Sequence, residues 1–206
     1  MADQNNKKYW DRFAKLYRPF IQSFESNLYD KLCGRILREI RPDMSVIEIG
    51  CGSGQLSIPL SRYAASWEAT DFSPEMIDQA SRRPHEDNLR FFVRSASDLP
   101  YEHGTFDAAV ASNVLHVMPH PERALRELRR VLKPGGLLIA PTYVHGSASK
   151  PSLRVKLMKR SGFQVFHRWT AGDFIDFVEK NGFQVKSATI LPDSIAPVCY
   201  LTAGKN

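Results

Sequence analysis

Nowhere in the 206 residues do about 18 apolar side chains run together, so no membrane-spanning helix is expected. The opening stretch MADQNNKK is polar and has no apolar heart of a signal peptide behind it, and a cytoplasmic location is the expectation. Cysteine is scarce. Cys33, Cys51 and Cys199 are widely scattered and odd in number, which excludes a disulfide framework and a C-x-x-C metal site and points to three free thiols. There is no internal repeat and no low-complexity tract, and between Lys150 and Arg168 there is no acidic residue at all. The excess of positive charge is modest, +6 with a pI near 9.3; it is compatible with anionic partners and equally common on plain soluble enzymes. What is present is an ordinary globular composition, 43% hydrophobic and 24% charged, for which one domain spanning residues 1–206 is expected.

Between Tyr9 and Ile40 apolar residues recur at three- and four-residue steps, first Trp10, Phe13, Leu16, Tyr17 and Phe20, then Leu28, Leu32, Ile36 and Ile40. Two amphipathic helices ahead of the first strand are predicted, separated by a polar break at Glu25 to Asn27. Pro42-Asp43 then interrupts the chain and SVIEIG reads as a short buried strand. From there strand and helix alternate: a helix through Leu56 to Arg62, a strand at Ser66 to Thr70, a helix from Pro74 to Ser81, and strands at Leu89 to Arg94 and Phe106 to Ala111. A helix across Pro121 to Leu132, the turn Lys133-Pro134-Gly135-Gly136 and a strand at Leu137 to Pro141 follow. Such alternation with short connections predicts a doubly wound α/β domain, a mostly parallel sheet covered on both faces. After a basic, irregular segment, Thr170 caps a helix to Asn181, Gly182 ends it, and Phe183 to Thr189 and Ala196 to Ala203 read as a closing antiparallel pair.

The stretch EIGCGSGQL, residues 48–56, places glycine at alternate positions between a strand and a helix. A dinucleotide fingerprint needs a glycine where Gln55 stands, and a phosphate-binding P-loop needs a Gly-Lys-Ser/Thr that does not follow. Alternate glycines permit a tight turn and leave no side chains between the backbone and a flat, uncharged ligand. Asp71, ending the next strand about 20 residues on, is placed to accept the hydroxyls of a ribose. An unphosphorylated ribose is implied.

Taken together, the blocks VIEIGCGSG, ATDFSPEMI, SDLPYEHGTFDAAVASNVLHV and RALRELRRVLKPGG resemble the class I S-adenosylmethionine-dependent methyltransferases, in particular small ubiquinone/menaquinone and phospholipid methyltransferases. The resemblance runs from about Val46 to Pro141. It implies a Rossmann-like, mostly parallel sheet of seven strands with an antiparallel terminal strand. It also implies a helical cap at 1–44, a cofactor-binding core at 45–141, a lid insertion at 142–169 and a closing helix and strands at 170–206. S-adenosyl-L-methionine would be the cofactor, S-adenosyl-L-homocysteine its product, and no metal would be needed. Gly50, Cys51, Gly52 and Gly54 would lie beneath the methionine part, with Glu48 orienting that loop. Asp71 would bind the ribose, Phe72 and Met76 would border the adenine, Ser95 and Ala96 would meet its edge, and Asn113 and Val114 would approach the sulfonium. One departure is Arg94-Ser95-Ala96 where the family often has Gly-Asp-Ala, so the usual carboxylate at the adenine amine is missing.

Methyl transfer from a sulfonium asks mainly for alignment and exclusion of water, and a general base is optional. His116, following the fourth strand, is the candidate base, and Tyr17 matches the tyrosine that in related enzymes closes over the cofactor. Tyr9, Tyr143 and His145 are candidates for the substrate wall, with Trp10 of the same sort as Tyr9. No Pro-Pro follows Asn113, which disfavours nucleobase or glutamine N-methylation. The expected acceptor is a small molecule or lipid. The alternatives are an RNA methyltransferase, which no RNA-binding appendage favours, and a non-catalytic cofactor-binding module. The basic segment with Lys150, Arg154, Lys156, Lys159, Arg160 and Arg168 can lie on an anionic membrane, attract an anionic small molecule, or form a solvated lid face.

Overall fold

The computed structural model describes residues 9–12, 14, 26–145, 164–193 and 196–205. Phe13, Leu16, Tyr17 and Phe20 and the basic residues Lys150, Arg154, Lys156, Lys159 and Arg160 lie outside the described residues. Helical backbone at 9–12 precedes helix α1 (Ser26–Ile36), whose stripe of Leu28, Leu32 and Ile36, continued by Ile40, is buried as the four-residue spacing predicts.

The sheet is built from β1 (Ser45–Ile49), β2 (Ser66–Asp71), β3 (Leu89–Val93), β4 (Phe106–Val110), β5 (Leu132–Ile139), β6 (Thr142–Tyr143), β7 (Phe183–Leu191) and β8 (Val198–Lys205). Its order is β3-β2-β1-β4-β5-β8, with both β6 and β7 hydrogen-bonded to β8. The pairs among β1 to β5 are parallel and all pairs with β8 are antiparallel. The antiparallel strand is therefore terminal in the chain but interior in the sheet, which explains its almost unbroken burial. The count is eight and not seven because Thr142–Tyr143 resumes pairing with β8 beyond Pro141.

The short helix α2 (Ser57–Leu60), a 3₁₀ turn at Ser61–Tyr63, and helices α3 (Pro74–Ser81), α4 (Pro121–Val131) and α5 (Ala171–Lys180) complete the described elements. Two of these helices begin as their sequences demand. In α3, Ser73 Oγ accepts the Met76 N–H at 3.3 Å with Pro74 in the first turn. In α5, Thr170 and Asp173 form a reciprocal capping box. Strand β1 sends alternate side chains to two cores. Val46 joins Leu28, Leu32, Ile36 and Trp67 on one face, while Ile47 and Ile49 join Leu125, Leu128, Phe174 and Val178 on the other.

One local expectation changes. The Lys133–Gly136 segment is a bulge inside β5: Phe106 pairs with Leu132, yet Ala108 pairs with Leu137. Gly135 takes φ 71°, and Lys133 Nζ donates to Asp107 Oδ1 at 2.7 Å, so the extra residues are held against β4.

Candidate cofactor and active site

The site forms where the strand order of the sheet reverses. β1 is flanked by β2 on one side and β4 on the other, and the carboxyl ends of these strands leave a crevice between them. The loop after β1 enters it with positive φ at Gly50 (65°), Gly52 (55°) and Gly54 (79°). Three such residues in five positions is a conformation that side chains resist and glycine adopts freely. The loop is tied down on several sides. Cys51 N–H donates to the Thr70 carbonyl at 3.0 Å, Gly52 N–H donates to Asp71 Oδ2 at 2.9 Å, and Arg83 donates to the Ser53 carbonyl and to Gln55 Oε1. Gln55, standing where a dinucleotide loop has its third glycine, thus anchors the loop to the end of α3.

Asp71 is the centre of this arrangement. Its second oxygen accepts the Ser73 N–H at 2.9 Å, and Ser73 Oγ in turn donates to Asp11 Oδ1 at 2.6 Å, joining the N-terminal helical turn to the site. Burial pushes the Asp71 carboxyl up to about 6, opposed by the Ser73 and Gly52 N–H groups and reinforced by Asp11. Around Asp71 opens a cavity of about 390 Å³, large enough for a cofactor-sized ligand. It is lined by Gly50, Gly52, Phe72 and Met76, by Val93 to Ser97, by Ser112 to Val114, and by Trp10, Val117, Met118 and Pro119. Asn113 sits at φ 52°, a left-handed conformation that asparagine tolerates. Both its side-chain amide atoms, and Ser112 Oγ, are buried with no hydrogen-bond partner among the described residues.

The comparisons with known proteins agree with this geometry. Residues 47–140 match the family model described as a methyltransferase domain. A demethylmenaquinone methyltransferase of Clavibacter sepedonicus is 31% identical over 137 residues, 66% of this chain and 53% of that protein. A ubiquinone biosynthesis O-methyltransferase of Xanthomonas oryzae pv. oryzae is 36% identical over 100 residues, 47% of this chain and 42% of that protein. Residues 47–140 are an S-adenosylmethionine-dependent methyltransferase domain. The chain spans about half the length of these two curated relatives. A structure from Thermotoga maritima described as a methyltransferase, possible histamine N-methyltransferase, superposes with TM-score 0.72 at 21% identity, covering 97% of this chain and 99% of that one; it shares the fold.

The cavity of the methyltransferase domain fits S-adenosylmethionine on its own evidence. A glycine cradle, a buried carboxylate bonded to it and an orphaned amide lining the same cavity suit the chain, ribose and amino-acid polar groups of that molecule. Of the residues expected at the cofactor, Gly50, Gly52, Asp71, Phe72, Met76, Ser95, Ala96, Asn113 and Val114 line the cavity. Glu48, Cys51 and Gly54 do not, and act on the shape of the loop. Cys51 is buried beneath it, and a Cβ on Gly54 would come within 2.9 Å of Ile58 Cδ1.

The candidates for chemistry and substrate fall elsewhere. His116 is not on the cavity wall. It is 5% exposed in the 3₁₀ turn Leu115–Val117, its ring edge-on to Tyr143 at 5.9 Å, and its carbonyl accepts the N–H groups of Phe166 and His167. Burial, with His145 and His167 nearby, lowers its pKa to about 3. Of the two N-terminal aromatic candidates, Tyr9 is buried edge-on against Trp10, and Trp10 is the one that lines the cavity. Tyr143 donates to Asp193 Oδ2 at 3.4 Å, and His145 N–H donates to the Trp169 carbonyl at 2.8 Å; neither lines the cavity. Val117, Met118 and Pro119 were missed, and their only signal in sequence was their place directly after the β4 mouth.

Glu48 provides a test of the loop's support. It is 2% exposed, and its Oε2 accepts the Trp67 indole N–H at 3.0 Å. Burial pushes its carboxyl up to about 7, so in the folded state it holds a proton that the unfolded chain releases from about 4.5. A raised folded pKa stabilises below the unfolded value and is lost as pH rises through the folded one. The wild type should therefore lose stability relative to Glu48→Gln between pH 5 and pH 8, measured by urea denaturation at both. A difference between the two proteins that stays constant over that range would refute the assignment.

Proposed function

We propose that the chain transfers a methyl group from S-adenosylmethionine to a small organic acceptor by in-line displacement, without His116 as general base. The observation that carries the reading is Asp71, a buried carboxylate that joins the glycine loop to α3 at the wall of the switch-point cavity. When bound, S-adenosylmethionine supplies an electrophilic methyl carbon on a sulfonium. The main chain of Gly50 and Gly52 seats the methionine end, Asp71 accepts the ribose hydroxyls, and Asn113 offers its orphaned amide to polar groups at the β4 mouth. Trp10, Met118 and Pro119 add apolar surface to the cavity, which favours a dry line of attack.

A base at His116 is disfavoured because an imidazole with a pKa near 3 accepts a proton poorly at neutral pH. Alignment of an already nucleophilic acceptor then supplies most of the acceleration. The names of the two relatives favour an acceptor with a quinol-like ring as the first class to test.

The deciding experiment follows release of S-adenosylhomocysteine with quinols, phenols, thiols, amines, phospholipids and RNA. Turnover with a small molecule is expected. Cofactor binding without release from any class would favour a binding module, and release with RNA alone would overturn the acceptor class. On the accepted substrate, His116→Asn should keep turnover within about tenfold of wild type, where loss of a working base costs about 10²- to 10⁴-fold.

A further inference from the structure

We propose that Asp11 is a positioning residue: its hydrogen bond to Ser73 sets the rotation of the N-terminal helical turn against the connection between β2 and α3, and so decides that Trp10, and not Tyr9, lines the cavity. The placement of Trp10 is a property of the protein alone, while its effect on affinity rests on the S-adenosylmethionine reading of the cavity.

Residues 9–12 are helical, so successive side chains leave the turn about 100° apart. They go to three places. Tyr9 is buried, Trp10 lines the cavity, and Asp11 Oδ1 accepts the Ser73 hydroxyl at 2.6 Å. The Tyr9 and Trp10 rings meet edge-on with centroids 5.4 Å apart, and rotating the turn by one residue would exchange the two aromatics. Burial of apolar surface is non-directional and separates two such rings only weakly. A hydrogen bond is directional, and Asp11 makes one.

The far end of that bond is held firmly. Ser73 is fully buried, its main-chain N–H donates to Asp71 Oδ1 at 2.9 Å, and its Oγ accepts the Met76 N–H at 3.3 Å. A hydroxyl has one hydrogen to donate, and the Ser73 hydrogen goes to Asp11. An O–H to carboxylate bond of this length is of the strong, charge-assisted kind. Asp71 in turn accepts the Gly52 N–H. One chain of hydrogen bonds therefore runs from the N-terminal turn through Ser73 and Asp71 to the glycine loop, with the cavity-lining residues Trp10 and Gly52 at its two ends.

The test is fluorine NMR of the full chain labelled with fluorotryptophan, in which Trp10, Trp67 and Trp169 each give a resonance and Trp10→Phe assigns the first by its absence. In Asp11→Ala the Trp10 resonance should move toward that of free fluorotryptophan, while those of Trp67 and Trp169 stay in place and report an intact core. Asp11→Asn keeps an oxygen that accepts the Ser73 hydroxyl and should restore the wild-type spectrum. Calorimetry with S-adenosylhomocysteine should show Asp11→Ala binding about fivefold more weakly, the order expected for a displaced aromatic contact. In a Trp10→Ala background the same substitution should change affinity by less than about twofold, since Asp11 acts through Trp10. Should Asp11→Ala not fold, Ser73→Gly removes the same hydroxyl, keeps the N–H to Asp71 and suits an N-cap, and it must displace Trp10 in the same way. An unmoved Trp10 resonance in the variant that folds, an asparagine protein displaced as far as the alanine one, or equal losses of affinity with and without Trp10 would each overturn the proposal. Failure of S-adenosylhomocysteine to bind the wild type would overturn the cofactor reading and leave the Trp10 resonance to decide this one.

Discussion

Asp71→Ala is expected to weaken S-adenosylhomocysteine binding by about a hundredfold or more, because hydrogen bonds from two ribose hydroxyls to a carboxylate are together worth roughly 3 kcal/mol. Two effects combine. On the proposed binding mode the hydroxyls lose their acceptor, and the Gly52 and Ser73 N–H groups lose the carboxylate that joins the glycine loop to α3. Wild-type affinity should also depend on pH in a stated direction. With the carboxyl raised to about 6, protonation below that value removes an ionised acceptor, so affinity should fall as pH drops from 7 to 5. Asp71→Ala should show no such fall. The stability linkage runs the other way: a raised folded pKa favours the folded state below the unfolded value near 3.8, and this contribution is lost as pH rises to about 6. Calorimetry at pH 5, 6 and 7 on both proteins decides the matter, and an alanine variant that binds like wild type would remove Asp71 from the site.

The second large effect is on stability. Gly50→Ala places a methyl group 2.4 Å from Val114 Cγ2 and 2.7 Å from Val114 Cβ, at a residue whose φ is 65°. Positive-φ strain and overpacking against the β4 mouth should together cost about 3 kcal/mol or more. For a chain of this length that corresponds to a drop in melting temperature of roughly 6 to 12 °C. Gly135→Ala is the control. Its φ is also positive, 71°, but no atom lies within 4 Å of the added Cβ, so only the backbone strain remains. Chemical denaturation should show Gly50→Ala losing at least twice as much as Gly135→Ala. Equal losses would mean that Val114 yields freely and that the close approach of the loop to the β4 mouth is unimportant.

Features written in local order were legible without a structure. Ser73 with Pro74, and Thr170 with Asp173, announce helix starts because the capping groups and the capped N–H groups are three residues apart. The burial of Leu28, Leu32 and Ile36 follows from helical periodicity alone. The glycine loop was legible because its positive φ angles demand that residue type, and Asp71 because it ends the strand that follows the loop in the chain. The bulge in β5 was not legible, since it arises from the register between Phe106 and Leu132 and between Ala108 and Leu137, a pairing across the sheet.

The departures at the site have the same origin. His116 and Tyr9 are both residues whose chemistry invites a role, and the sequence carries no record of which way each side chain turns. His116 turned inward, against Tyr143, and lost its basicity to burial; Trp10 turned toward the cavity while its neighbour Tyr9 was buried.

By itself, then, the sequence determined the alternating α/β order, the conformation of the loop at residues 50–54 and the placing of a carboxylate at the end of the second strand, because each depends on neighbouring residues and backbone sterics. Only the tertiary structure decided that Glu48 bonds Trp67, that Asp11 reaches Ser73, that β8 runs inside the sheet, and which groups line the cavity. Those outcomes depend on burial and pairing between segments far apart in the chain.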